Sequence, residues 1–133
     1  MKKYYLPVLI IFVLISVGCG KKDDAPPPDS PSVITITEPL AGGIYQNGTI
    51  LQIRGSISDD NSLSNAKVEI KNKNTGVVYF QQNNPTSNVI FYHLMWNWTI
   101  SGITGPTLAS LKITSTDRYS YQVIKEVDIN LDN

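Results

Sequence analysis

The side chains able to do chemistry are few in this 133-residue chain, with one cysteine, Cys19, and one histidine, His93. A catalytic His93 needs a nucleophile within hydrogen-bonding reach and an acid to orient it. The residues around it in sequence supply no such pair, so His93 reads as an exposed or rim histidine on a strand. One cysteine and one histidine also fall short of the four ligands of a Cys/His zinc site. Asp59, Asp60 and Asn61 form the one acidic cluster, and Asp117 follows a late strand that could end on the same side of the fold. Calcium takes six to eight oxygens, so Asp59, Asp60 and Asp117 are candidate calcium ligands. Asp and Asn also cap turns by bonding their own nearby backbone, and the pattern favours that role. No other cofactor is expected, and this inventory points away from an enzyme. Four aromatic residues, Phe91, Tyr92, Trp96 and Trp98, crowd one stretch and are candidate ligand-binding residues.

The amino terminus specifies more chemistry than the rest of the chain. Lys2 and Lys3 give a positive start, and residues 6–17 form an apolar run broken only by Pro7 and Ser16. That run is too short for a bilayer core, which needs ~20 helical residues. It suits a cleaved secretory signal, with the small Gly18 at its end. The segment Ser16-Val17-Gly18-Cys19 resembles the lipobox of bacterial lipoproteins, with Ser16 where leucine is usual. The resemblance implies cleavage between Gly18 and Cys19 and a diacylglycerol on the Cys19 sulfur. It also accounts for an odd cysteine in an exported chain, which otherwise has no disulfide partner. Lipoproteins of this kind carry more than one acyl chain, and at ~0.8 kcal/mol per buried methylene that exceeds the limit for reversible binding.

Charged and proline-rich residues follow, from Gly20-Lys21-Lys22-Asp23-Asp24 to Pro31. Such a segment cannot bury enough apolar surface to fold and favours an extended conformation. It reads as a spacer. A lysine followed by two acids just behind the cysteine resembles the surface-export tag of Bacteroidetes lipoproteins. Gly20, rather than aspartate, favours the outer membrane. The expected organisation is a signal peptide over 1–18, a lipidated cysteine and tether over 19–32, and a folded domain over 33–131. The precursor carries 11 basic and 11 acidic residues, and loss of Lys2 and Lys3 leaves it slightly acidic. That balance excludes nucleic acid as the main partner.

From Ser32 onward the residues read as strands. Val33-Ile34-Thr35-Ile36-Thr37 is β-branched throughout. Leu51, Ile53 and Ile57 alternate with Gln52, Arg54 and Ser58, and Ala66, Val68 and Ile70 alternate with Lys67, Glu69 and Lys71. This period of two marks strands with one wet face. Further strands are expected over 76–80, 89–100, 108–116 and 121–131, with a polar loop over 81–88. Seven strands with frequent turn signals predict an all-β immunoglobulin-like sandwich.

The motifs Ile36-Thr37-Glu38-Pro39, Gly43-x-Tyr45, Gly48, Ile53-x-Gly55 and Asp59-Asp60-x-x-Leu63 resemble the opening of bacterial Ig-like modules. Ile113-x-Ser115-Thr116-Asp117 resembles their late strand, with Arg118-Tyr119-Ser120 replacing the usual Gly-Asn. The resemblance extends to short Bacteroidetes lipoproteins holding one such domain, and it implies fold more than function.

Strand 89–100 is apolar on both faces. Ile90, Tyr92, Leu94, Trp96, Trp98 and Ile100 share one face, expected to be the core with Trp96 or Trp98 central. Val89, Phe91, His93, Met95, Asn97 and Thr99 share the other. The second face is expected to be covered by residues 81–88 or reassigned by a bulge; left open, it would bind something. Two functional classes follow. One is a non-catalytic binding or structural module on a lipid tether, with an unspecified protein ligand. The other is a glycan-binding accessory protein that stacks sugars on its aromatic side chains.

Overall fold

The computed structural model describes residues 30–133. The signal peptide, the cleavage site at Gly18 and Cys19, and the tether up to Asp29 lie outside the described residues. Among the described residues there are six strands and no helix: β1 (Val33–Glu38), β2 (Ile44–Gln46), β3 (Ile50–Asn72), β4 (Val78–Thr99), β5 (Thr107–Asp117) and β6 (Gln122–Asp132).

β3 and β4 form one long antiparallel hairpin, paired from Ile50↔Thr99 to Lys71↔Val78. Asn72 closes its turn: the Oδ1 accepts from the backbone N–H of Asn74 and Thr75, and the Asn72 N–H donates to Val77 O. A straight strand would hold Trp98 roughly 60 Å from Phe80. The Trp98 ring instead lies 6.2 Å from Tyr79 and 6.1 Å from Phe80, stacked on both. The hairpin is therefore folded over on itself, with its apolar side chains between the two halves.

The fold line is written in the register. Between Ser58↔Phe91 and Leu63↔Val89, β3 sets four residues, Asp59, Asp60, Asn61 and Ser62, against Ile90 alone. Between Leu63↔Val89 and Asn65↔Pro85, β4 sets Thr86, Ser87 and Asn88 against Ser64. Extra residues on one strand bend a ladder and increase its twist. Ser62, Ser87 and Asn88 all have positive φ (95°, 55° and 59°), a region that residues other than glycine seldom occupy.

Each half of the hairpin then recruits neighbours. Residues 50–58 of β3 pair with the second half of β4, and residues 54–58 pair also with β1, giving a first sheet of β1, β3 and β4. Residues 63–72 pair with β5, which continues to β6 and to β2, the latter in parallel. Ile53, Ile57, Leu94 and Trp96 from the first sheet meet Val68, Ile70, Leu111, Ile113 and Ile129 from the second in one buried core. Each such side chain contributes about 1.5–3 kcal/mol on burial. On the outer surface the Glu69 carboxylate takes Lys112 at 3.1 Å and Lys67 at 3.4 Å. The Lys112 hydrogen bond holds its carboxyl below the usual carboxylate range.

The core phase expected for residues 51–57, 66–70 and 111–113 is the one observed. The strand count differs from the seven expected. The second and third expected strands are one element, β3, and so are the fourth and fifth, β4, while β2 is added. The expected loop over 81–88 is mostly strand: Gln81, Gln82 and Asn83 pair with Glu69, Val68 and Lys67. Its polarity reflects an edge position, where side chains stay wet and Pro85 costs no ladder bond.

β1 lies hard against Gly55 of β3, where a Cβ would sit 2.0 Å from Thr35 O. Gly55→Ala is expected to cost about 2–4 kcal/mol or block folding. Gly105→Ala, where a methyl group meets nothing within 4 Å, should stay within about 0.5 kcal/mol of the parent in urea denaturation. Equal midpoints for the two variants would contradict this packing.

Candidate functional site

The second half of β4 alternates strictly, and the alternation decides what each aromatic residue can do. Trp96 and Trp98 are 3% and 6% exposed. Trp98 closes the folded hairpin, and Trp96 lies 6.5 Å from the half-buried Tyr92 ring. The Tyr92 hydroxyl accepts from Asn84 Nδ2 at 3.0 Å, tying the two halves of β4 together. Trp96 and Trp98 are thus core residues and present no ring to a ligand, which corrects the expectation of stacking there. Tyr92 is largely spent in the same way. A sandwich without disulfides draws its closure from buried rings, and these are the largest available.

Phe91 is the exception. It is 47% exposed and packs edge-on against His93, with ring centroids 4.8 Å apart. Met95, two residues further along the same face, is 73% exposed. Residues 81–88 do not cover this face, because they run on as strand. The bulge does disturb the phase at its start: Ile90, expected inward, is exposed. Ser56 is the register partner of His93, but no hydrogen bond joins them. Arg54 lies along the same surface, donating to Trp96 O at 2.7 Å, Ile53 O at 3.0 Å and Asn97 Oδ1 at 2.7 Å. That staple was not legible beforehand, since nothing in a strand pattern says where an outward arginine will turn.

The acidic residues gather at the fold line but do not converge. Asp59 Oδ2 accepts from Ser32 Oγ at 2.6 Å and its Oδ1 from Asn61 N at 2.8 Å. Asp117 is 2% exposed, and its Oδ1 accepts from the N–H groups of Tyr119 and Tyr121, both at 2.8 Å. This pins the β5–β6 turn, where Ser120 takes a positive φ of 71°. Arg118 N donates to Ser62 O, and Ser64 Oγ donates to Asp117 O, so that turn is also tied to the bulge of β3. Asp59 and Asp117 line a hollow of about 310 Å³ with Ser32, Tyr121 and Val123. Asp60 lines an adjoining hollow with Val33 and Ser58, which shares Asp59 with the first, and takes Asn61 Nδ2 at 3.0 Å. Among the described residues no three His, Cys, Asp or Glu side chains come together to hold a metal ion. Asp59, Asp60 and Asp117 do not form such a group: Asp59 Oδ1 and Asp117 Oδ1 cap turns, while the buried Asp117 Oδ2 has no hydrogen-bond partner.

No known family model matches the chain, and no curated protein matches it. Solved structures do. Fibronectin(III)-like modules of CbhA from Clostridium thermocellum are 18% identical, covering 74% of this chain and 94% of theirs, with a TM-score of 0.51. CopC from Methylosinus trichosporium OB3b is 11% identical over 77% of this chain and 94% of its own, with a TM-score of 0.47. Murine CRIg is 9% identical over 77% and 98%, with a TM-score of 0.46. The fibronectin-like likeness shows the fold and nothing about ligands: an all-β sandwich of the fibronectin III kind.

Asp117→Ala removes a buried acceptor for the N–H groups of Tyr119 and Tyr121 and is expected to cost about 2–4 kcal/mol. Asp60→Ala should be neutral within about 0.5 kcal/mol. Calcium and chelator should leave the melting midpoint of the parent where it is. A chelator-induced drop, lost in Asp117→Ala, would restore the cation reading.

Proposed function

We propose that this chain is a lipoprotein of the bacterial cell envelope, held at the outer membrane by lipid on Cys19 and displayed there as a non-catalytic immunoglobulin-like binding or structural module. The carrying observation is the sole cysteine standing directly after Gly18, at the end of a short apolar run that begins behind two lysines. The charged and proline-rich residues 20–31 give the folded part a spacer. The sandwich supports the module reading because its buried aromatic residues are spent on closing the core, and its buried acid on capping a turn. Of its four candidate rings, the glycan-binding alternative keeps Phe91 as the exposed one, since Trp96 and Trp98 are buried and Tyr92 is half-buried.

Metabolic labelling with a fatty acid tests the anchor. The parent chain should incorporate label and sediment with outer membranes, and Cys19→Ser should lose both properties. Cys19→Ser retaining label and membrane association would contradict the lipoprotein reading. Affinity electrophoresis against polysaccharides tests the module: no retardation is expected, and retardation abolished by Phe91→Ala would favour the glycan alternative.

A further inference from the structure

β4 has one neighbour among the described residues, β3, along its whole length. Its other edge presents unpaired backbone N–H and C=O groups at alternate residues. Proteins blunt such edges with lysine, proline, bulges or a covering segment. Pro85 and the left-handed Ser87 and Asn88 do this at the middle of β4. Residues 91–99 have no such device. Their register to β3 is unbroken from Phe91↔Ser58 to Thr99↔Ile50. Between Lys73 and Lys112 the sequence holds no Asp, Glu, Lys or Arg at all, so β4 carries no charge of its own here; the nearest is Arg54 of β3, the register partner of Met95, whose guanidinium donates to Trp96 O and Asn97 Oδ1. Its outward side chains include the exposed Phe91 and Met95.

We infer that the edge of β4 over residues 91–99 is a self-association surface, on which a second copy of this chain pairs antiparallel about a two-fold axis at His93. Self-pairing is the case this edge suits. A strand meeting its own copy brings identical charge patterns together, and like charges opposite one another destabilise a ladder; this strand has none. A charged partner would meet Arg54 here, whose guanidinium is already committed to Ile53 O, Trp96 O and Asn97 Oδ1. The register follows from the apolar residues. With the axis at His93, Phe91 faces the partner's Met95 and Met95 faces the partner's Phe91, giving two thioether–ring contacts of the kind that favour association. An axis at Met95 would set Phe91 against the partner's Thr99 and lose both. The two-fold closes the assembly at a dimer, joining the two first sheets into one continuous sheet.

Sedimentation equilibrium of the full chain in density-matched detergent tests this. The parent should show a reversible monomer–dimer equilibrium, and Met95→Lys or Phe91→Lys should raise its dissociation constant tenfold or more. Both residues are exposed, so circular dichroism melts of the dilute variants should match the parent. Independently of any variant, backbone amides of residues 91–99 in the parent should exchange more slowly as protein concentration rises. A parent that stays monomeric at high concentration, a ladder of species beyond the dimer, a dimer indifferent to both lysine variants, or concentration-independent exchange would each overturn the inference.

Discussion

The contact on which the rest of this structure depends is Trp98 against Tyr79 and Phe80. These rings belong to the two ends of one strand, and their stacking holds a long hairpin folded in half. With that closure, Leu51, Ile53 and Ile57 face Val68, Ile70, Leu111 and Ile113 across a shared interior. Without it, the same hairpin would be an open ribbon with one apolar face in water, and a two-stranded ribbon is marginally stable at best. A fold without disulfides has burial and ladder hydrogen bonds to rely on, and the closure commits the largest side chains to that task.

The fold line carries the complementary constraint. Leu63 sits at the junction, paired with Val89 of β4 and Asp117 of β5 and fully buried. Around it the backbone accepts three left-handed residues that are not glycine, a conformation costing of order 1–3 kcal/mol each. Local ties offset that cost: Ser64 to the carbonyls of Thr116 and Asp117, Arg118 N to Ser62 O, and Asp59 to Ser32. Chemistry-bearing residues gather here for the same reason. Short polar side chains can bond the backbone where it leaves the ladder, and Asp59 and Asp117 do so at the bend.

Much of this was readable from local patterns. Period-two alternation placed Ala66, Val68 and Ile70 inward because each residue's face depends on its immediate neighbours. The alternation of residues 91–100 also put Leu94, Trp96, Trp98 and Ile100 on the core face, as observed, but it could not say what would cover the tryptophan rings. That depends on Tyr79 and Phe80, far away in sequence, so Trp96 and Trp98 stood as candidates for both core and ligand. The continuity of β3 and β4 was hidden for a related reason. Asp59, Asp60, Asn61, Ser87 and Asn88 are turn formers by type, and here they make bulges within strands instead of ending them. Polar residues 81–88 looked like a loop because an edge strand need not alternate.

The burial of both tryptophans narrows what the sandwich can offer a partner: backbone edges and a few exposed side chains, not a tryptophan platform. Proton NMR of the labelled full chain tests that closure most directly, through nuclear Overhauser contacts of the Trp98 ring. Close contacts from Trp98 to both Tyr79 and Phe80 are predicted. A Trp98 ring with no contact to either residue, and with freely exchanging amides on both halves of β4, would contradict the folded hairpin and everything built on it.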